Sequence, residues 1–131
     1  MATCYADTLR LAARKITARY DGALEPTGLT IAQFALLRKI RRAGEASLTD
    51  LGRRAGLDRS TIGRNVRVLE KAGLVAMAPG KDQREAAVAL TKAGHERLAQ
   101  AEPLWEQVQT EIEDVLGASG VKSLNRLADA F

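Results

Sequence analysis

Side chains able to hydrogen-bond a nucleic acid crowd one short segment. Projected at 100° per residue, the residues after Asp58 place Ser60, Arg64 and Arg67 opposite Ile62, Val66 and Leu69, with Thr61 and Val68 flanking. That outward face contains no acidic residue. A helix about 10–12 Å across fits the major groove of B-DNA, where Arg can donate two hydrogen bonds to guanine O6 and N7 and Asn can read adenine N6 and N7. Arg64 and Asn65 are therefore the candidate base readers, and Arg67 shares their basic face. Arg59, Ser60 and Thr61 stand near the helix start, where free amides and the helix dipole favour anions, so they suit phosphate contact or short-range base reading. Downstream, the polar run Pro79 to Arg84 ends in a guanidinium that suits a narrow, negative minor groove, with Lys81 placed to touch phosphate. The competing reading is a basic face that is merely solvated; the pairing of helix and basic hairpin favours DNA.

The charge distribution carries the same message. The 131-residue chain has 20 Lys and Arg against 16 Asp and Glu, a net charge of +4. Residues 41–84 hold ten Lys and Arg against five Asp and Glu, leaving ten against eleven elsewhere, so the surplus lies wholly in the central segment. One cysteine, Cys4, and one histidine, His95, cannot build a structural zinc site or a disulfide framework. An enzyme is disfavoured for the same reason: there is no metal cluster, no Gly-rich phosphate loop and no Ser/His/Asp set. The basic face has no interleaved aromatics for stacking single-stranded bases, which argues against RNA. Its first twenty residues carry four basic charges and no unbroken apolar run, and no stretch approaches the ~18 apolar residues that cross a bilayer, so a cytoplasmic protein without a membrane partner is expected.

Positioning these residues requires a mainly helical chain with one hairpin. Leu9, Ala13, Ile16 and Tyr20 recur at helical steps from Ala6, and Gly22 marks a stop. Thr30 and Gln33 have capping-box spacing ahead of Ile31, Phe34, Leu37 and Ile40, with a stop at Gly44. Ser47 and Asp50 open a short helix ending at Gly56; Asp58 caps the next, which ends at Ala72-Gly73. Two helices joined by so short a Gly-containing turn form a helix-turn-helix. Leu74 to Ala78 and Glu85 to Leu90 alternate as strands, the second with Ala86, Val88 and Leu90 on one side, and the Pro79-Gly80 turn makes them a wing. Thr91 caps a long helix in which Leu98, Ala101, Trp105, Val108, Ile112 and Val115 follow heptad steps, with a kink or break expected between Ala99 and Pro103. Ser119 caps a last helix carrying Val121, Leu124, Leu127 and Phe131.

Those last two stripes have no room in a small winged lobe, so an intermolecular seam is the expectation, the alternative being that Trp105 and its neighbours pack on the first helix of the same chain. The fold class is thus mainly α with a small β-hairpin wing. A single domain of residues 1–131 is expected, with a winged core of about 30–90 and dimerisation helices of about 5–22 and 91–131.

The run from Ser47 to Ile62, then Arg64-Asn65 and Leu69 to Val75, resembles the MarR family of bacterial and archaeal transcription regulators. So do Asp82-Gln83-Arg84 followed by Val88 to Gly94, which look like that family's Asp-x-Arg and Leu-Thr-x-x-Gly signatures, and Gly28 to Phe34. The resemblance covers nearly the whole chain. It implies a winged helix-turn-helix lobe in a homodimer, a repressor responsive to a ligand and acting on double-stranded DNA at a pseudo-palindromic operator. It also implies DNA contacts from Ser47, Arg59, Ser60, Thr61, Arg64, Asn65, Arg67, Lys81 and Arg84, with Asp82 bracing the wing by pairing with a nearby Arg. There are two departures from the pattern: Gly63 stands where relatives often have Thr, and the first wing strand has Ala76, Met77 and Ala78 where they commonly place an Arg.

Family members often respond to small aromatic acids, phenolics or oxidants, so such an effector is expected and no cofactor is. Arg14, Tyr20 and His95 are candidate polar groups near such a cleft, the alternative for each being an ordinary packing or surface residue, and no ligand-binding residue is assigned. Cys4, with Tyr5 and Tyr20, raises the alternative of a redox-sensing regulator. A further alternative is a winged-helix module that binds protein in place of DNA.

Overall fold

The computed structural model describes residues 2–79 and 86–131. The element order is α1 (Tyr5–Leu24), a 3-10 turn (Glu25–Thr27), α2 (Ile31–Ala43), β1 (Ala46–Ser47), α3 (Leu48–Ala55), α4 (Arg59–Lys71), β2 (Val75–Pro79), β3 (Ala86–Leu90) and α5 (Lys92–Ala130). Each helix of the central lobe starts where a short polar side chain can accept an otherwise unpaired amide. Thr30 and Gln33 form a reciprocal capping box. Ser47 accepts from the Asp50 amide at 3.1 Å, and Asp58 from the Thr61 amide at 2.7 Å. The Thr91 hydroxyl accepts from the Gly94 amide at 3.0 Å.

Side chains from every element of the lobe meet in one core. Phe34, Leu37 and Ile40 of α2, Leu51 of α3 and Ile62, Val66 and Leu69 of α4 are buried together with Leu74, Val75, Val88 and Leu98. The sheet has three antiparallel strands in the order β1-β3-β2, with Ala46 opposite Val88 and Met77 opposite Val88 on its other side. Strand β1, two residues long, is too short to leave a period in the sequence. It makes β3 a central strand, and Ala87 and Val88, on opposite faces of it, are both buried where one-sided alternation was expected.

Helix α5 differs from the expectation in two ways. Pro103 lies within it without any non-helical dihedral at Ala99 to Pro103; both residues are exposed, so water can satisfy the Ala99 carbonyl that the missing amide leaves open. The axis breaks at Gly117 instead, at φ 69° and ψ 172°, a conformation open essentially to glycine alone. Secondly, the first part of the heptad stripe is not an open seam. Leu98, Ala101 and Val108 are fully buried within the chain, and the Trp105 ring lies 5.5 Å from that of Phe34 on α2, with the Arg38 guanidinium 4.3 Å above the indole. Helix α1 meets α5 further along, through Arg19 to Glu111 at 2.6 Å and Tyr20 to Gln109.

The start of α5 sits against the backbone. A Cβ on Gly94 would stand 2.0 Å from the Leu74 carbonyl oxygen. Gly94→Ala is therefore expected to cost more than about 2 kcal/mol, since only a backbone shift relieves the clash; urea unfolding measures it, and a wild-type midpoint would contradict this packing.

Candidate nucleic-acid interface

Helix α4 is anchored from beneath and open above. Ile62, Gly63, Val66 and Leu69 are buried, whereas Arg59, Ser60, Arg64, Asn65 and Arg67 are exposed and Thr61 is half-exposed. Arg64 stands opposite the buried stripe, at the middle of the open face. A second tight approach fixes how α4 leaves α3: a Cβ on Gly52 would lie 2.8 Å from the Leu57 carbonyl oxygen, and Gly56 takes a left-handed φ of 69° to turn the chain. The two helices of the motif are thereby locked at their junction.

The polar groups of this face are already linked to one another. Ser60 donates its hydroxyl to Asp58 Oδ1 at 3.0 Å, and Arg64 Nη2 donates to Thr61 Oγ1 at 3.3 Å. Asp58 accepts from the Thr61 amide too, and these bonds, chiefly the backbone one, hold its carboxyl below the usual range. With its donor committed, Ser60 has lone pairs left to offer, and the Thr61 oxygen accepts from Arg64. Ser47 is half-buried at the start of α3, and its oxygen caps that helix, which leaves its proton available to an outside acceptor.

Asn65 departs from the expected arrangement. It lies on the flank of α4 towards α2, where it lines a cleft of about 190 Å³ with Thr30, Gln33, Leu36 and Val68. The structure therefore groups Arg59, Ser60, Thr61, Arg64 and Arg67 on one open face and sets Asn65 at its edge. Lys81, Asp82 and Arg84 lie outside the described residues. Sequence reasoning overlooked Arg54, exposed in the last turn of α3 beside the junction; a basic residue just before Gly56 was the available signal.

The sensing candidates are not gathered into a site. Cys4 is exposed at the N-cap of α1, and Tyr20 is 16 residues further along, about 24 Å at 1.5 Å per residue, so the expected Cys4, Tyr5 and Tyr20 set is not assembled within one chain. Tyr20 donates to Gln109, with burial and then Glu113 raising its pKa. Arg14 and His95 are both exposed. Among the described residues, no group of three or more His, Cys, Asp or Glu side chains could hold a metal, and no helix is long and apolar enough to cross a membrane.

Comparison with known proteins points in one direction. A family model described as the MarR family matches residues 29–85. YwoH of Bacillus subtilis (strain 168), an uncharacterized HTH-type transcriptional regulator, is 31% identical over 85 residues, 65% of this chain. The match spans 62% of that relative, less than two thirds of its length. The transcriptional regulator MosR of M. tuberculosis, solved in complex with DNA, is 35% identical over 98% of both chains, with a TM-score of 0.83. A mutant MarR from E. coli complexed with operator DNA has a TM-score of 0.86 over 95% of this chain and 91% of its own; at 24% identity it speaks for the fold alone.

Two outcomes follow from this geometry. At Gly63 a Cβ would meet Arg67 Nη2 at 3.8 Å and Leu48 Cδ1 at 4.0 Å, ordinary contacts, so Gly63→Ala is expected to stabilise the protein by about 0.5–1 kcal/mol through helix propensity. Calorimetric melting measures this, and a lowered Tm would mean that α4 needs the glycine. A carboxylate whose pKa is depressed on folding stabilises the fold above its unfolded value, and that contribution fades as pH falls through the folded value. Asp58→Asn keeps a capping oxygen without the titration, so it should lose less stability than the wild type between about pH 5 and pH 2.5, whereas parallel acid limbs in urea melts would remove Asp58 from the pH response.

Proposed function

The chain belongs to the MarR family, and from that membership we propose that it is a transcription regulator that binds double-stranded DNA as a homodimer, a repressor released by a small aromatic or phenolic effector. The observation that carries the DNA reading is the open face of α4, where exposed Arg59, Arg64 and Arg67 gather with Ser60 and Thr61 and outnumber the capping carboxylate of Asp58. An anionic groove is the complement of such a surface. Its resemblance along 98% of the chain to MosR, itself solved in complex with DNA, supports the same reading.

The dimer reading rests on apolar surface at the two ends of the chain. Leu9 and Ile16 of α1 are 44% and 38% exposed, and Val115, Leu124, Leu127 and Phe131 are 87%, 49%, 42% and 106% exposed. Leu9 and Ile16 continue the stripe that buries Tyr20, and the others continue the helix that buries Val108. A second copy would extend the core along both helices. Two-fold symmetry would then set two α4 helices about 34–36 Å apart, one turn of the duplex, which makes the operator a pseudo-palindrome. Within this reading Arg64 reads a base, Ser47 positions the backbone, Ser60 accepts from a base amino group, and Lys81 and Arg84 act from the wing.

Selection of random duplexes by the purified protein, with mass measured on the selected complex, tests the proposal. A palindromic sequence bound by two chains is expected; no enrichment over salt-sensitive background would overturn it in favour of a protein-binding winged helix. On the selected site, Arg64→Ala should cost about 1–3 kcal/mol and relax preference at one position. Lys81→Ala should weaken all sequences evenly and flatten the salt dependence, and identical behaviour of the two variants would refute the division between reader and positioner. Leu124→Asp with Leu127→Asp should yield a folded monomer of weak affinity, detected by sedimentation, whereas a variant that remains dimeric would move the interface elsewhere.

A further inference from the structure

We infer that Val68 is a specificity-determining residue that packs on the 5-methyl group of a thymine in each half of the operator, an inference that rests on the DNA-binding reading above. Val68 is 53% exposed on a helix whose neighbouring outward side chains are Arg64, Arg67 and Thr61. Val68 lies on the flank of α4 towards α2, outside the stripe of Ile62, Val66 and Leu69 that the fold buries. An exposed isopropyl group amid cations has nothing to gain from phosphate or from the hydrogen-bonding edge of guanine. Thymine is the base that presents a methyl group in the major groove, and apolar side chains read it by contact.

Val68 borders a cleft towards α2 whose lining mixes apolar side chains with Thr30, Gln33 and Asn65. Thr61 lies seven residues earlier on nearly the same line of the helix, and its hydroxyl oxygen accepts from the Arg64 guanidinium. Leu36 and Ala32 of α2 line the cleft beside Val68. The guanidinium of Arg64, one helical turn from Val68, donates to Thr61 Oγ1, so charge and apolar surface stand side by side on this helix. Arg64 and Val68 are four residues apart on α4, so a guanine read by the first and a thymine read by the second can lie within one half-site.

The test replaces each thymine of the selected duplex in turn by deoxyuridine, which removes the methyl group alone, and measures affinity by fluorescence anisotropy for the wild type and Val68→Ala. Burial of one methyl group corresponds to about fourfold in affinity, so a symmetric pair of exchanges should weaken the wild-type complex by about fifteenfold. The same exchanges should leave Val68→Ala nearly unaffected, a non-additive cycle. Val68→Ile, which keeps the apolar contact, should restore sensitivity to the exchange. An enriched operator whose binding survives every exchange, or a Val68→Ala penalty that simply multiplies with that of deoxyuridine, overturns this inference and leaves DNA binding intact. Absence of any enriched sequence overturns both.

Discussion

The lobe is organised around one junction, where the end of α4, the beginning of the sheet and the beginning of α5 meet with almost no space between backbones. The Thr91 hydroxyl donates to the Gly73 carbonyl at 2.6 Å and accepts from the Gly94 amide, and the Thr91 amide donates to the Leu74 carbonyl at 3.1 Å. The approach is permitted because Gly94 has no Cβ to strike Leu74. Three elements that could otherwise pivot are held by backbone groups that must be paired in any case. The direction in which α4 leaves the lobe and that in which α5 rises from it are therefore set together.

That rigidity is what allows the outward face of α4 to carry so little that helps folding. Its amides are satisfied by Asp58, its buried stripe supplies the apolar contacts, and its link to α3 is fixed by the close passage of Gly52 under Leu57. Arg64 and Arg67 can then be arranged for an external anion. Gly63 is the one place on this helix where local propensity is given up without a steric reason, since a methyl group would fit there.

The elements whose form is decided locally were legible in the sequence. Caps at Thr30, Ser47, Asp58 and Thr91 occur where the residue types and spacing place them, because capping is a matter of four consecutive residues. The inward and outward sides of α4 follow from a period of 3.6. What escaped depends on contacts distant in the chain. Strand β1 exists only because β3 lies beside it. Asn65 is set aside by the placement of α2, which the wheel of α4 alone does not contain. Pro103 and Gly117 are instructive as a pair: proline is the stronger breaker by type, but its cost depends on what the freed carbonyl faces, and on an exposed surface water supplies the partner. Glycine at 117 takes a backbone conformation closed to other residues, so the turn occurs there.

The lobe and the long helix also behave as one body, and this bears on how two copies would address DNA. Helix α5 is attached to the lobe at successive levels: Gly94 against Leu74, Arg97 to the Thr27 carbonyl at 2.9 Å, Arg41 to Glu102, and Trp105 between Phe34 and Arg38. Only beyond Val108 does the helix lose this support and expose its apolar side, and at Gly117 its axis changes. In the proposed dimer, the partner would therefore touch the free ends, while each α4 would be carried on a rigid arm that begins at the Thr91 junction. A displacement at the seam that passed through Gly117 into such an arm would change the separation of the two recognition helices, and a spacing matched to one turn of duplex tolerates little change. The same close packing that orients α4 would thus make operator affinity sensitive to whatever alters the contact between the chain ends.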